Sequence, residues 1–404
     1  MNPSPRIPMV GRWRQACAAL LAGTSMAALL VACGGGGGDA PIAGGGTAAA
    51  QSFARGPITG LGSIIVNGVR FDDTAARVED EDGAAHAARE LKLGMMVEVQ
   101  AGAIDDNSAR AAASVIRFGS EIVGPVASTD RTAQTLRVLD QTILVKPTTV
   151  FEEGLAGFDA INVNQVLEIH AQFDAATGNY VATRIETEAG ATAFRLRGVI
   201  RELGATTFKI GDAVIDFSRI AAADLPVAMA NGQRVRVRLQ VQAAQVTGPW
   251  VALSVRTGVR RVDDIGDARL RGLVTAVTSP QQFEVQGIAV DATNATFEPN
   301  GAGVTLGALV EVRGQATAGK IVATRVKVRN ERDDDLQRVE LHGSVSALDG
   351  TTFMLHDVKV NFSRVIEWKN GQPTDLANGK AVEVKGVWSE DRQVLFALVI
   401  GFES

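Results

Sequence analysis

The residues of this 404-residue chain that could do chemistry are few: four histidines, two cysteines and short runs of carboxylates. The densest run, Glu79-Asp80-Glu81-Asp82-Gly83, has the outline of a calcium loop. Such a loop needs carboxylates at its first and twelfth positions about a turn glycine at the sixth. With Gly83 as that glycine, those positions fall on Val78 and Arg89, so the run reads as a solvated acidic loop. Asp333-Asp334-Asp335 reads as linker. A hairpin centred on Asp349-Gly350 would bring His342 and His356 together with Asp357 opposite, a set able to hold zinc. The set has no counterpart elsewhere in the chain, and strand histidines are usually surface residues. His86 and His170 stand alone. No serine sits in a Gly-x-Ser-x-Gly elbow. Glutamates fall mostly on outward strand positions, which nominates no pair for glycosidase chemistry. The expectation is a chain with no catalytic residue, no metal and no cofactor.

Composition narrows the class. Hydrophobic residues make up 46% of the chain, a globular level rather than a disordered one. Aromatics are only 5%, so cores must be built from Val, Ile, Leu and Ala. Lys and Arg number 40 against 45 Asp and Glu, which argues against a nucleic-acid partner.

The N-terminus reads as an address. Arg6, Arg12 and Arg14 precede an apolar run from Ala16 to Val31, the layout of a signal peptide and short for a membrane-spanning helix. Trp13 separates two of the arginines, so a twin-arginine signal is not supported. Leu30-Val31-Ala32-Cys33 resembles the lipobox of bacterial lipoproteins. That resemblance implies cleavage before Cys33, a diacylglyceryl thioether on its sulfur and acylation of the new amino terminus. The alternative is an ordinary signal peptide with an incidental cysteine. Gly34, where such lipoproteins carry aspartate for inner-membrane retention, implies outer-membrane sorting. The glycines at 34–38 and 44–46 make a flexible tether. Loss of 1–32 leaves 37 basic and 45 acidic residues, a net charge of −8.

The rest of the chain repeats. A Gly followed two residues later by Val or Ile opens at Gly56, Gly124, Gly198, Gly272 and Gly343, spaced 68, 74, 74 and 71 residues apart. Each opening leads into a hairpin: Phe208-Lys209-Ile210, Phe283-Glu284-Val285 and Phe353-Met354-Leu355 match Leu136-Arg137-Val138 and Ile64-Ile65-Val66. Asn67-Gly68 between apolar alternations is a strong hairpin signal. A period-2 strand follows 34 to 40 residues after each opening glycine, as in Gly94-Met95-Met96-Val97-Glu98-Val99 and Gly232-Gln233-Arg234-Val235-Arg236-Val237. In the second copy Asn164 replaces the glycine, asparagine being the next-best residue for a positive φ. A closing strand follows, such as Ala323-Thr324-Arg325-Val326. Five short strands in about 65 residues avoid exposed edges best by closing into a barrel. The three-strand meander followed by a hairpin is the coarse order of an OB-type barrel, with other small barrels and sandwiches left open.

The Gly-x-Val opening, Phe-x-Val hairpin, Gly-x-x-Val-Glu-Val strand and Ala-Thr-Arg-Val ending resemble the domain of unknown function 5666 of proteobacterial envelope proteins. The resemblance implies an architecture and a location and brings no catalytic residue with it. The expected organisation is all-β: signal peptide 1–32, lipidated Cys33 and tether 33–53, then five OB-like barrels at 54–119, 120–190, 194–258, 268–329 and 339–404. Short linkers predict a rod or arc of barrels. The expected function is a non-catalytic envelope lipoprotein, anchored through Cys33 and probing a glycan, a cell-wall polymer or an envelope protein. Candidate contacts are the hairpin tips at Gly204, Thr206, Ser279, Gln281, Asp349 and Thr351. The alternative is a periplasmic enzyme whose site forms between repeats.

Overall fold

A computed structural model describes residues 51–244, 248–258, 262–329, 338–389 and 392–403. The signal peptide, Cys33 and nearly all of the tether lie outside the described residues, as do Asp333, Asp334 and Asp335.

Alternating Val, Ile and Phe build small curled sheets with one wet face and one dry face. In Met96–Ala101 the side chains of Val97, Val99 and Ala101 are buried while Glu98 and Gln100 are half-exposed. The hairpin residues Ile64, Leu136, Phe208, Phe283 and Phe353 are all buried, each at the equivalent place in its sheet. At Asn67-Gly68 both residues have positive φ, 53° and 73°, the geometry of a type I′ turn matched to strand twist.

One pairing circuit recurs. Ser52–Leu61 pairs antiparallel with Ile64–Val66, which pairs with Val69–Asp72; that strand lies parallel to Arg110–Phe118. Arg110–Phe118 pairs antiparallel with Met96–Ala101, which returns to Ser52–Leu61 and closes the ring. The same circuit runs through Ile122–Asp130 and its partners, and through Ile265–Ser279 and its partners. Strands within 194–257 and 338–402 follow the same order. The result is a mostly β chain of repeated small, closed, OB-like sheets. Ser52 and Phe53, within the stretch read as tether, are already paired strand, against Ala101 and Gln100 on one side and Asp267 and Ala268 on the other. Between the acidic run and the fourth strand lie a short strand, Ala85–His86, and one 3-10 turn, Ala88–Glu90.

The residue opening each fourth strand has positive φ: Gly94 at 80°, Asn164 at 69°, Gly232 at 88°, Gly307 at 77° and Gly379 at 86°. The asparagine therefore does the glycine's job in the second unit. A Cβ on Gly232 would meet nothing within 4 Å, so Gly232→Ala isolates the backbone cost. It should destabilise by about 1 kcal/mol in denaturant unfolding, against a negligible effect for Asn164→Gly.

Units that are not neighbours in sequence pair with one another. The ten-residue strand Ser52–Leu61 pairs in parallel with Asp267–Leu270 of the fourth unit near its start and with Glu340 and Leu341 of the fifth at its end. The first and fifth units share one apolar core, and the second and third share another. Gln286 of the fourth unit exchanges hydrogen bonds with the Phe173 backbone of the second, at 3.1 and 3.0 Å. Linker length limits only sequence neighbours, whereas open strand edges choose partners anywhere in the chain.

Candidate functional site

A cleft of about 650 Å³ opens between the first and third units, with Glu121 of the second also in its lining. Its first wall comes from the acidic turn. Asp80 Oδ1 accepts the backbone N–H groups of Asp82 and Ala84 at 2.8 and 2.9 Å, and Gly83 takes a φ of 86°. The tight turn pushes Glu81 and Asp82 outward. Gly119 leaves room for the Glu81 side chain, which a Cβ there would overlap. The run read as a solvated loop is thus a docking element. Glu81 meets Arg197 and Arg236 of the third unit, the latter at 2.8 Å, and Asp82 meets Arg236 as well.

The opposite wall is Phe194–Val199, Arg234–Leu239 and Trp250–Thr257. Simple alternation placed the arginines of Arg234-Val235-Arg236 in water. Instead Arg236 is 7% exposed and Arg234 9%, because the first and second units cover that face. Arg234 Nη2 has no hydrogen-bond partner among the described residues. Tyr180 beside it donates its hydroxyl to the Arg197 carbonyl at 2.5 Å, and burial pushes its pKa up.

Glu121 is the exceptional carboxyl of the cleft. It is 5% exposed, and burial raises its pKa to about 7 despite the opposing charges of Arg55 and Arg234. Its neighbour in the wall, Glu98, is paired with Arg55 at 3.6 Å. Glu121 therefore titrates near neutrality in a cleft otherwise held by fixed charges. A group of this kind can donate or accept a proton or a hydrogen bond.

The hairpin tips stay apart from this cleft. Gly204, Thr206, Gln281, Asp349 and Thr351 are exposed and Ser279 is half-buried, each at the end of its own hairpin. The carbonyls of Thr206, Gln281 and Thr351 accept the N–H groups of Phe217, Ala292 and Phe362 at 2.9, 2.7 and 2.9 Å. That shared bond makes the three tips structural equivalents, on three different units.

His342, His356 and Asp357, the set weighed for zinc, each find other partners. His356 Nε2 donates to the His342 carbonyl at 2.7 Å, and Asp357 pairs with Lys92 of the first unit at 2.8 Å. The buried His342 ring lies instead between Glu403 and Glu340, at 2.7 and 2.8 Å, with Arg70 of the first unit against it. Glu340, His342 and Glu383 come close enough to share a cation. Lys385 already bridges Glu340 and Glu383 at 3.1 and 2.8 Å, so a cationic group of the chain itself is seated between them. The hydrogen bond from His342, with Lys385, holds Glu340 down at about 2. His170 is fully buried between the first and second units, and desolvation lowers its pKa. These two are interface residues and not surface ones. His86 has a polar, half-open setting, with Glu90 at 2.8 Å and Asp80 at 3.5 Å.

Glu121 and the arginine wall were not singled out from sequence. One signal was present: Val235-Arg236-Val237 carries arginine where Val97-Glu98-Val99, Val310-Glu311-Val312 and Val382-Glu383-Val384 carry glutamate.

The sequence matches the domain of unknown function (DUF5666) over residues 55–114, 123–186, 271–327 and 342–401. The third unit lies between the second and third of these segments. No curated protein matches the chain. Among solved structures, one described as drosophila Unr CSD456 is 13% identical, covering 53% of this chain and 99% of that one with a TM-score of 0.13.

Proposed function

Because the chain belongs to the DUF5666 family, we propose that it is a non-catalytic binding scaffold of the bacterial cell envelope. It is read as five copies of one OB-like barrel, tethered by glycine-rich chain to a lipidated Cys33 in the outer membrane. Its ligand is a glycan, a cell-wall polymer or an envelope protein, met by the cleft between the first and third units and by the hairpin tips. The observation that carries this reading is the cleft itself. Its walls are outward strand faces of separate barrels, so recognition surface is gained by clustering repeats. Nucleic acid is a poor partner for a chain with 45 acidic and 40 basic residues.

Two experiments test it. The full chain should be labelled by a fatty-acid analogue in a bacterial host, and Cys33→Ala should abolish the label; an unlabelled wild type removes the anchor from the proposal. Anchor-free protein should co-sediment with purified sacculi or bind purified lipopolysaccharide, and retention by neither contradicts the scaffold. A second reading, an enzyme with its site between repeats, is favoured by Glu121, a carboxyl titrating near pH 7 in that cleft. Hydrolysis of an envelope polymer lost on Glu121→Gln would establish it in place of the first.

A further inference from the structure

The middle residue of the repeated fourth strand is glutamate in four units, as Glu98, Glu168, Glu311 and Glu383, and arginine in the third, as Arg236. Strand register sets what each one faces. Glu98 stands between Arg55 and Arg117, and Glu311 between Arg271 and Lys327, so basic side chains flank a carboxylate. Arg236 stands between Arg197 and Arg256, which puts three guanidinium groups in one row across three strands. Two residues further along, Arg238 stands opposite Arg195.

Like charges directly opposed on neighbouring strands repel, and an anion shared among them removes the repulsion. Among the described residues the chain supplies that anion at one end only. Glu81 and Asp82 cover Arg197 and Arg236, with Arg236 dividing its two terminal nitrogens between the two carboxylates. Arg238 and Arg256 are exposed, line the same cleft and form no ion pair among the described residues. At the other end of the row, beside Arg197, Glu121 is nine-tenths buried, lines the same cleft and has no side-chain hydrogen bond among the described residues.

We propose that this arginine row is a binding site for an acidic polysaccharide, whose carboxylates continue along Arg256 and Arg238 the line that Glu81 and Asp82 begin. The inference rests on the scaffold reading and names the class of its ligand. The occupant already on the row decides the chemistry: it is a string of carboxylates, and planar guanidinium forks match carboxylates in pairs. Strands about 4.8 Å apart repeat the charge at short intervals, which favours a string of anions over a single ion. Glu121 offers an unused hydrogen-bonding group to a sugar hydroxyl.

The test is titration of the full chain with polygalacturonate, followed by calorimetry at fixed low salt, with polyphosphate as a second probe. Arg238 and Arg256 are exposed and form no ion pair among the described residues, so R238A/R256A leaves packing intact. The expected result is a Kd weakened about tenfold or more by R238A/R256A, and at most about twofold by K320A/K359A, a loss of two exposed lysines on other units. No binding of polygalacturonate, or equal weakening by both double variants, overturns the site. Preference for polyphosphate at the same arginines overturns the polysaccharide assignment. The failure of the scaffold reading looks different: polygalacturonate bound through Arg238 and Arg256 but shortened on incubation would keep the site and make the protein an enzyme.

Discussion

Glu81→Gln should cost the folded chain about 3 kcal/mol, among the larger losses expected from any single polar substitution in it. Glu81 is the joint between the first and third units, holding Arg197 and Arg236 together. Its side chain and those of both arginines are at most 14% exposed, so the carboxylate has little solvent to screen it. Removing its charge takes from Arg197 and Arg236 the carboxylate they share, beside a row of other arginines. Breaking a buried pair from one side costs more than the pair contributes, because the remaining charge stays desolvated. The check is a double-mutant cycle in denaturant unfolding with Glu81→Gln, Arg236→Gln and the pair. The double variant should lose much less than the sum of the singles, and strict additivity would show that the two groups do not interact.

Glu121→Gln should act in the opposite direction, and only at high pH. The folded chain holds the Glu121 pKa at about 7, against 4.5 for a free glutamate, through burial. An acid with a raised pKa binds its proton more tightly when folded. Its contribution is therefore fully present below pH 4.5 and is lost as pH rises through 7. The penalty on the ionised form at pH 8 is about 3 kcal/mol, as an order of magnitude. Glutamine keeps the shape without the charge. The variant should match wild type near pH 4 and melt several degrees higher at pH 8, in paired thermal unfolding series. Parallel pH profiles for the two proteins would show that Glu121 does not titrate on folding.

The repeat was legible because it is local. Gly-x-Val openings, the Asn67-Gly68 turn and Val-Glu-Val strands follow from period-2 burial and positive φ, which any single unit must satisfy. Asn164 shows how far this reaches: its φ of 69° is the conformation its place in the repeat required. What was not legible is how units meet. The acidic run at 79–82 scores the same in sequence whether it is solvated or docked, since Arg197 and Arg236 lie 116 and 155 residues from Glu81. His170 and His342 look like outward strand residues until another unit covers them. The single departure that pointed to the cleft, arginine for glutamate at position 236, carries weight only when strand register shows Arg197 and Arg256 on either side.

The sequence by itself determined the β units and their turns, because each buries its own Val, Ile and Phe face within about 65 residues. Only the tertiary structure decided the cleft. Its walls belong to units brought together by strand edges and ion pairs across long separations, and no local pattern encodes which outward face another barrel will bury.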